Sequence, residues 1–323
     1  MIYYPKIKMG KPETIKKILG RTEVGRELQR EKDRQKKQLV RSEKKRNYSV
    51  PTEMHSMELS LIFNTTLAER EKGWCRRDLW NGRYIEAGKS KLPNDKGLIQ
   101  GEDLSVLLGC FLFLKHSKTK HNKYTFETTP YQILRLFGED KDIQRDITGG
   151  RDYQRLRDSL NRLQSNNIST NFWWDTIKGE RVIKYNFHFL ESVGEGEQKT
   201  LRVRLSKDIA DSIEKGYVKY LRKNSLLNII RLRGHAKILA LYLLKLAGHK
   251  KELEQNLETV LRLLGLEEKY KRMEKRYFNR YVKEVVAPAM ERASKTIGFH
   301  CEYRGEEKKF YLHRPLSISH KEK

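Results

Sequence analysis

One succession of segments occurs twice in this chain, and it restricts the fold more than any other feature. An apolar helix, a short second helix ending at a glycine, a basic amphipathic third helix and a β-hairpin follow one another in both halves. In the first copy the apolar helix is Leu104–Lys115, followed by a short strand at Lys123–Phe126. Thr129 is placed to cap the second helix, with Pro130 at its first position and Gly138 at its end. Proline suits that position because the first helical N–H has no intrahelical acceptor. After Gly149–Gly150 the third helix reads RDYQRLRDSLNRLQSNN, with Tyr153, Leu156, Leu160 and Leu163 spaced 3, 4 and 3. That spacing gathers them into one narrow stripe. ISTNFWWD and RVIKYNFHFL then flank a turn at Lys178–Gly179, as a hairpin requires.

The second copy begins with the apolar helix Gly234–Ala247 and continues with Leu257–Gly265. Its third helix is expected from near Tyr270 to about Ile297, with Phe278, Tyr281, Val282, Val285 and Ala289 facing inward. Pro288 should kink or break it, because proline lacks the N–H and its ring crowds the carbonyl four residues back. FHCEYRGEEKKFYLHR then reads as strand, turn and strand, with Arg304–Gly305 at the tip. The second helices carry ILRLFG at 133–138 and VLRLLG at 260–265. The shared order of elements argues for duplication more strongly than this short match.

The remaining segments suggest how the copies are divided. SMELSLIFN and GWCRRDLWNGRYIEA, within residues 56–86, read as short strands and turns, and KLPNDKGLIQGED as a connector. GEGEQK at Gly194–Lys199 reads as a joint, after which LRVRLS and the short helix KDIADSIEKG open the second half. Residues 11–47 hold 14 Lys/Arg against six Asp/Glu with no continuous apolar stripe, so they cannot bury themselves. The expected organisation is a basic arm over 1–50, one domain over 51–193, a second over 199–316 and a tail over 317–323.

Two steeply crossed helices followed by a third helix and a hairpin describe a winged helix. Its third helix enters the major groove and its hairpin reaches the adjacent backbone. The fold class expected is therefore α+β, mostly helical, with two tandem winged-helix domains. Opposite the leucine stripe the first third helix presents Arg151, Gln154, Arg155, Asp158, Asn161, Arg162 and Ser165. The second presents Arg272, Arg276, Asn279, Arg280 and Lys283. Arginine grips guanine with two hydrogen bonds, and Asn or Gln does the same with adenine. Lys178, Arg181, Arg304, Lys308 and Lys309 on the hairpins suit phosphates, contacts that fix register without reading sequence. One such helix is equally well an ordinary solvated face; two at equivalent positions favour double-stranded DNA. Net charge agrees: 68 Lys/Arg against 42 Asp/Glu leaves +26, far more than solubility needs. Trp173 and Trp174 are adjacent, so in a strand they face opposite ways and one belongs to the core.

Catalytic motifs are missing. GRYIEAGKS at 82–90 puts Gly82 one residue too early for a phosphate loop. No HxH or HExxH occurs among the nine histidines, and Cys75, Cys110 and Cys301 have no metal-ligand spacing. No enzyme activity, metal or cofactor is expected. Sparse thiols suit a reducing cytoplasm. The longest apolar run, Val106–Leu114, is far short of a membrane span, and the N-terminal MIYYPKIKMGKPE has no signal-like apolar core. A cytoplasmic protein without a membrane partner is the expectation.

The stretch ITGGRDYQRLRDSLNRLQSNNISTNF, residues 147–172, resembles the plasmid replication initiator protein A family. Its marks are the Gly-Gly-x-x-Tyr start, the leucine-rich basic helix and Ile-x-Thr-Asn leading to the hairpin. LPNDKGLIQGEDLSVLLGCFLFL before it, and FHFLESV, LRVRLSKDIADSI and LRGHAKILALYLLKLAGHK after it, extend the resemblance over about residues 92–250. The resemblance implies a plasmid initiator whose two winged helices bind repeated origin sequences. It further implies melting of adjacent AT-rich DNA, recruitment of the host initiator ATPase and replicative helicase, and a homodimer that represses its own promoter. The alternative is a winged-helix transcriptional repressor of a plasmid or phage.

Overall fold

The computed structural model describes residues 49–53, 59–79, 81–90, 96–116, 124–138, 150–175, 178–196, 200–248 and 250–315. The described residues from Val50 onward belong to one compact unit. The basic arm expected over 1–50 and the tail over 317–323 lie outside the described residues, apart from the arm's last two. Strand β1 (Ser49–Glu53), a 3-10 turn (Leu59–Phe63) and helix α1 (Leu67–Lys72) precede the hairpin β2 (Trp74–Asp78) and β3 (Tyr84–Gly88). Then come α2 (Gly101–His116), β4 (Thr125–Thr128), α3 (Pro130–Gly138) and α4 (Gly150–Ser165). Six strands follow: β5 (Asn167–Thr170), β6 (Trp173–Asp175), β7 (Glu180–Val182), β8 (Tyr185–Phe187), β9 (Leu190–Glu195) and β10 (Leu201–Leu205). Helix α5 (Lys207–Glu214), β11 (Val218–Arg222) and α6 (Lys223–Arg231) lead to α7 (His235–Ala247), β12 (Glu252–Asn256), α8 (Leu257–Leu263) and α9 (Glu267–Arg272). Helix α10 (Lys275–Tyr281), a π turn (Val282–Val286), α11 (Ala287–Thr296), β13 (His300–Arg304) and β14 (Lys309–His313) complete the chain.

The duplication is deeper than the sequence pattern indicated. In the first copy the strand ahead of the second helix, β4, pairs with β10, which pairs with β9. In the second copy β12 pairs with β14, which pairs with β13. Both are three-stranded antiparallel sheets with the last strand in the centre, and, with β5–β8 of the first copy and the short α9 of the second set aside, both follow the order helix, strand, helix, helix, strand, strand. Alternation explains the central strand of the first copy: Leu201, Val203 and Leu205 are buried while Arg202 and Arg204 face out. Thr129 and Gln132 cap α3 reciprocally, each side chain accepting the other's backbone N–H. Ile133 and Leu134 on α3, and Val260 and Leu261 on α8, are buried at matching places in the two strings.

Four expectations need correction. Gly194 and Glu195 lie within β9, and β10 pairs with it, Leu201 opposite Glu195, so no joint divides the copies here and LRVRL closes the first copy. The hairpin with Lys178–Gly179 at its tip exists, but β5 and β8 join β3 in a sheet ordered β2–β3–β5–β8. It is inserted ahead of the hairpin equivalent to β13–β14. Leu59–Phe63 is a fully buried 3-10 turn rather than a strand, and Thr66 starts α1 with a capping box. Finally, the last long helix begins at Lys275: α9 ends at Arg272, and the extended backbone of Met273 separates the two. The helix continues past Pro288 to Thr296. The π turn precedes the proline, and the Ala287 N–H donates to the Val282 carbonyl. The wider turn accommodates a residue that cannot supply the ordinary bond.

One hydrophobic core runs through both copies. Helix α6 packs on α2, α3 and α11. Lys237 on α7 is 7% exposed; its ammonium donates to the Ser105 hydroxyl of α2, which donates to the Ile230 carbonyl at 3.1 Å. The Asn64 amide donates to the Leu264 carbonyl. Gly265, at φ +65°, leaves room for the Arg77 guanidinium that pairs with Glu69 at 2.5 Å.

Candidate nucleic-acid interface

Helix α4 is built to show one polar face. Leu156, Ser159, Leu160 and Leu163 are buried against the core, with Tyr153 half-buried beside them. Arg151, Gln154, Arg155 and Arg157 are exposed and Asp158 and Asn161 are half-exposed. This face is only partly free. The Gln154 amide donates to Asp158 at 2.9 Å, Lys96 lies 3.7 Å from the same carboxylate, and Arg155 lies 3.9 Å from Asp152. Arg157 makes two bonds to Glu195 at the end of β9, at 2.6 and 2.9 Å. Glu195 thereby fastens the polar face of α4 to the β9–β10 hairpin. Gln154, Arg157, Asn161 and Gln164 line one wall of an open groove of about 1430 Å³, with Asn186, Arg204 and Lys207 opposite. Amides and guanidinia gathered along one groove supply both donors and acceptors for base edges.

Arg162, expected on this face, is instead 7% exposed and belongs to the core. Its guanidinium makes a fork to the fully buried Asp103 carboxylate, at 2.8 and 2.7 Å, and reaches Ser159 at 3.2 Å. Asp103 also accepts the Gln100 N–H at 2.8 Å at the start of α2. Burial raises the Asp103 carboxyl above its ordinary value, against the pull of Arg162, Ser159 and Gln100. Arg162 therefore ties α4 to α2. Lys178 and Arg181 stand on the inserted β6–β7 ribbon. Lys178 is exposed, 3.9 Å from Glu180, while Arg181 donates twice to the Asn171 carbonyl at 3.2 and 3.0 Å.

In the second copy Phe278, Val282, Val286, Ala289, Met290 and Ala293 are buried, while Tyr281 and Val285 are half-buried. Arg276, Asn279, Arg280 and Lys283 all face out on α10 and the π turn. Arg280 pairs with Glu284 at 2.8 Å. Arg276, Asn279 and Lys283 have no hydrogen-bond or ion-pair partner among the described residues. Arg272 does not join them: it ends α9, 3.8 Å from Glu268. At the hairpin, Arg304 is held by Glu302 at 3.0 Å and Glu307 at 3.6 Å and stacks 4.3 Å over Tyr311. Lys309 pairs with Glu254 at 3.3 Å, whereas Lys308, at φ +50°, is exposed at the turn.

Some residues escape a search for long polar donors. Tyr277 is 60% exposed beside Arg276 and Arg280. Trp174 is 43% exposed on the ribbon, while Trp173 is buried and stacks on Tyr185 at 4.8 Å. An aromatic breaking the polar run of α10 was the available signal for Tyr277. Asn186 and Lys96 could not be found, because the fold brings them to α4 from elsewhere. Among the described residues no group of three His, Cys, Asp or Glu could hold a metal, and no helix is long and apolar enough to cross a membrane.

No curated protein sequence matches the chain. Among solved structures, domains 2 and 3 of RctB are similar at a TM-score of 0.49 and 14% identity, covering 80% of this chain and 96% of that one. A second RctB structure gives 0.46 and 13%, with 76% and 92% covered. The Pi initiator protein, in complex with iteron DNA, gives 0.42 and 14%, with 67% and 91% covered. The family described as replication initiator protein A matches residues 77–288, more than half of the sequence. The chain belongs to the replication initiator protein A family.

Proposed function

We propose that this protein initiates plasmid replication by binding repeated origin DNA through two winged helices, α4 with β9–β10 and α10–α11 with β13–β14. The observation that carries this reading is the repeated sheet order, β4–β10–β9 and β12–β14–β13, each beside a third helix with a polar outward face. Family membership supports the role in initiation. The copies divide the work. Gln154 and Asn161 on α4 supply amides for adenine, and Arg155 a guanidinium for guanine. Arg276, Lys283 and Lys308 carry charge that no described carboxylate neutralises, which suits phosphates. Bending of flexible steps between the two contacted segments begins melting. Recruitment of a host initiator ATPase and helicase, and a promoter-repressing homodimer, complete the proposed cycle, in which this chain performs no catalytic step.

Footprinting on the plasmid's own origin tests it. Protection of tandem repeats beside an AT-rich segment, with permanganate-reactive thymines, is the expected result. Protection of a single promoter palindrome without melting would favour the repressor. Asn161→Ala should cost about 1–3 kcal/mol on cognate DNA and little on random DNA. Arg276→Ala should weaken both and lower the salt slope by about one unit.

A further inference from the structure

A second basic feature lies away from both reading faces. Where β11 meets the C-terminal ends of α7 and α11 the surface is concave, with a volume of about 680 Å³. Lys219, Arg222, Lys295 and Arg314 line it, and no described Asp or Glu does. Around the sheet of the first copy the surface cations are laced with carboxylates, as in Arg157–Glu195, Arg202–Glu127 and Arg204–Glu191. Here no described carboxylate lies within ion-pair distance of any of the four.

Two of the cations do have internal acceptors. Lys219 donates to the Leu244 carbonyl, and Arg314 to the Gly248 carbonyl at 3.0 Å. These carbonyls end α7 and carry its partial negative charge. Each bond uses one of three ammonium donors or one of five guanidinium donors, so donor capacity remains. Arg314 is held in position: its N–H donates to the Lys251 carbonyl at 2.9 Å, and its guanidinium lies 4.9 Å over Phe299. Burial, and then the charge of Arg314, push Lys219 below the ordinary lysine value. Like charges are thus gathered here with no counter-charge among the described residues. Gly248 and Gly298 keep the basin open, since a Cβ on either would meet nothing within 4 Å.

We propose that this basin is a phosphate-binding site, and that it takes the backbone of DNA beyond the segments contacted by the third helices. It lies at the Arg314 end of β14, whereas the hairpin turn is at the Lys309 end, about 15 Å along the strand. The DNA source rests on the function proposed above; the phosphate chemistry does not.

Pyrophosphate is the probe. Titrated into the full chain, it should bind and raise the melting temperature. Arg222→Gln with Lys295→Gln changes two exposed side chains that hold no other described group. This variant should keep the ligand-free melting temperature and bind pyrophosphate about tenfold more weakly. Absence of binding, or equal binding by the variant, overturns the site. Competition identifies the source. A cognate duplex extended by about one helical turn should displace pyrophosphate where the trimmed duplex does not. If ADP displaces it and neither duplex does, the DNA source is overturned and a free phosphate takes its place. If no duplex binds the protein at all, the DNA-reading proposal fails while the pyrophosphate result stands.

Discussion

A buried arginine on a helix proposed to read DNA changes what a substitution there should do. Arg162 and Asp103 are 7% and 0% exposed, and each satisfies the other's hydrogen bonds. Removing one partner leaves a desolvated charge, which costs about 3–5 kcal/mol. Arg162→Ala should therefore lower unfolding stability by that amount in urea titrations and weaken cognate and random DNA binding together. Arg155→Ala should leave stability within about 0.5 kcal/mol. A stable Arg162→Ala protein with lost base preference would return Arg162 to the reading face. The leucine spacing of α4 located its inward stripe, yet no wheel can distinguish an arginine at its edge from one in solvent. The signal lay on the partner helix: Asp103 is the one carboxylate in an otherwise apolar run, DLSVLLGCFLFL, and a buried carboxylate requires a cation.

Among the elements, helices were legible and sheet partners were not. Helical stripes are local, so α2, α3, α4, α7 and α8 follow from spacing and caps. Strand β12, ELEQN, buries only Leu253 and leaves almost no alternation to detect. Strand β10 meets β4 across 75 residues, as in Arg202 with Glu127. The intervening β5–β8 hairpin offered a nearer and equally regular candidate, and the glycines at 194 and 196 looked like a joint for the same reason. In the last long helix proline was expected to kink or break the run, and a π turn stands just ahead of it. With the Ala287 N–H bonded to the Val282 carbonyl, the π turn already accommodates Pro288. Pro288→Ala should therefore stabilise the protein by less than about 1 kcal/mol, against about 3 kcal/mol for an interior proline in a regular helix. Urea unfolding measures this, and a gain near 3 kcal/mol would mean the π turn relieves nothing.

At the scale of the molecule, the two copies meet through a buried amine. Lys237 of α7 reaches Ser105 and the Gly101 carbonyl of α2. Burial lowers its pKa from 10.5 to about 8; Glu102 and Asp103 raise it, and Arg233 lowers it further. Below about pH 8 the folded and unfolded chains both hold the proton, so this group adds no pH dependence. Between about 8 and 10.5 the folded chain has released the proton while the unfolded chain keeps it. The unfolded state then binds more protons, and stability rises with pH. Other groups act in reverse: burial raises Cys75 and the half-buried Tyr242 to about 12, and burial together with Glu214 and Asp211 raises the half-buried Tyr124 to about 12. For these the unfolded chain ionises first, and stability falls as alkali is added. Lys237→Met separates the two trends. The stability of the wild type minus that of the variant should climb by roughly 2–4 kcal/mol from pH 8 to 10.5. A flat difference across that range would mean that water reaches the amine, and that the two copies do not close over it.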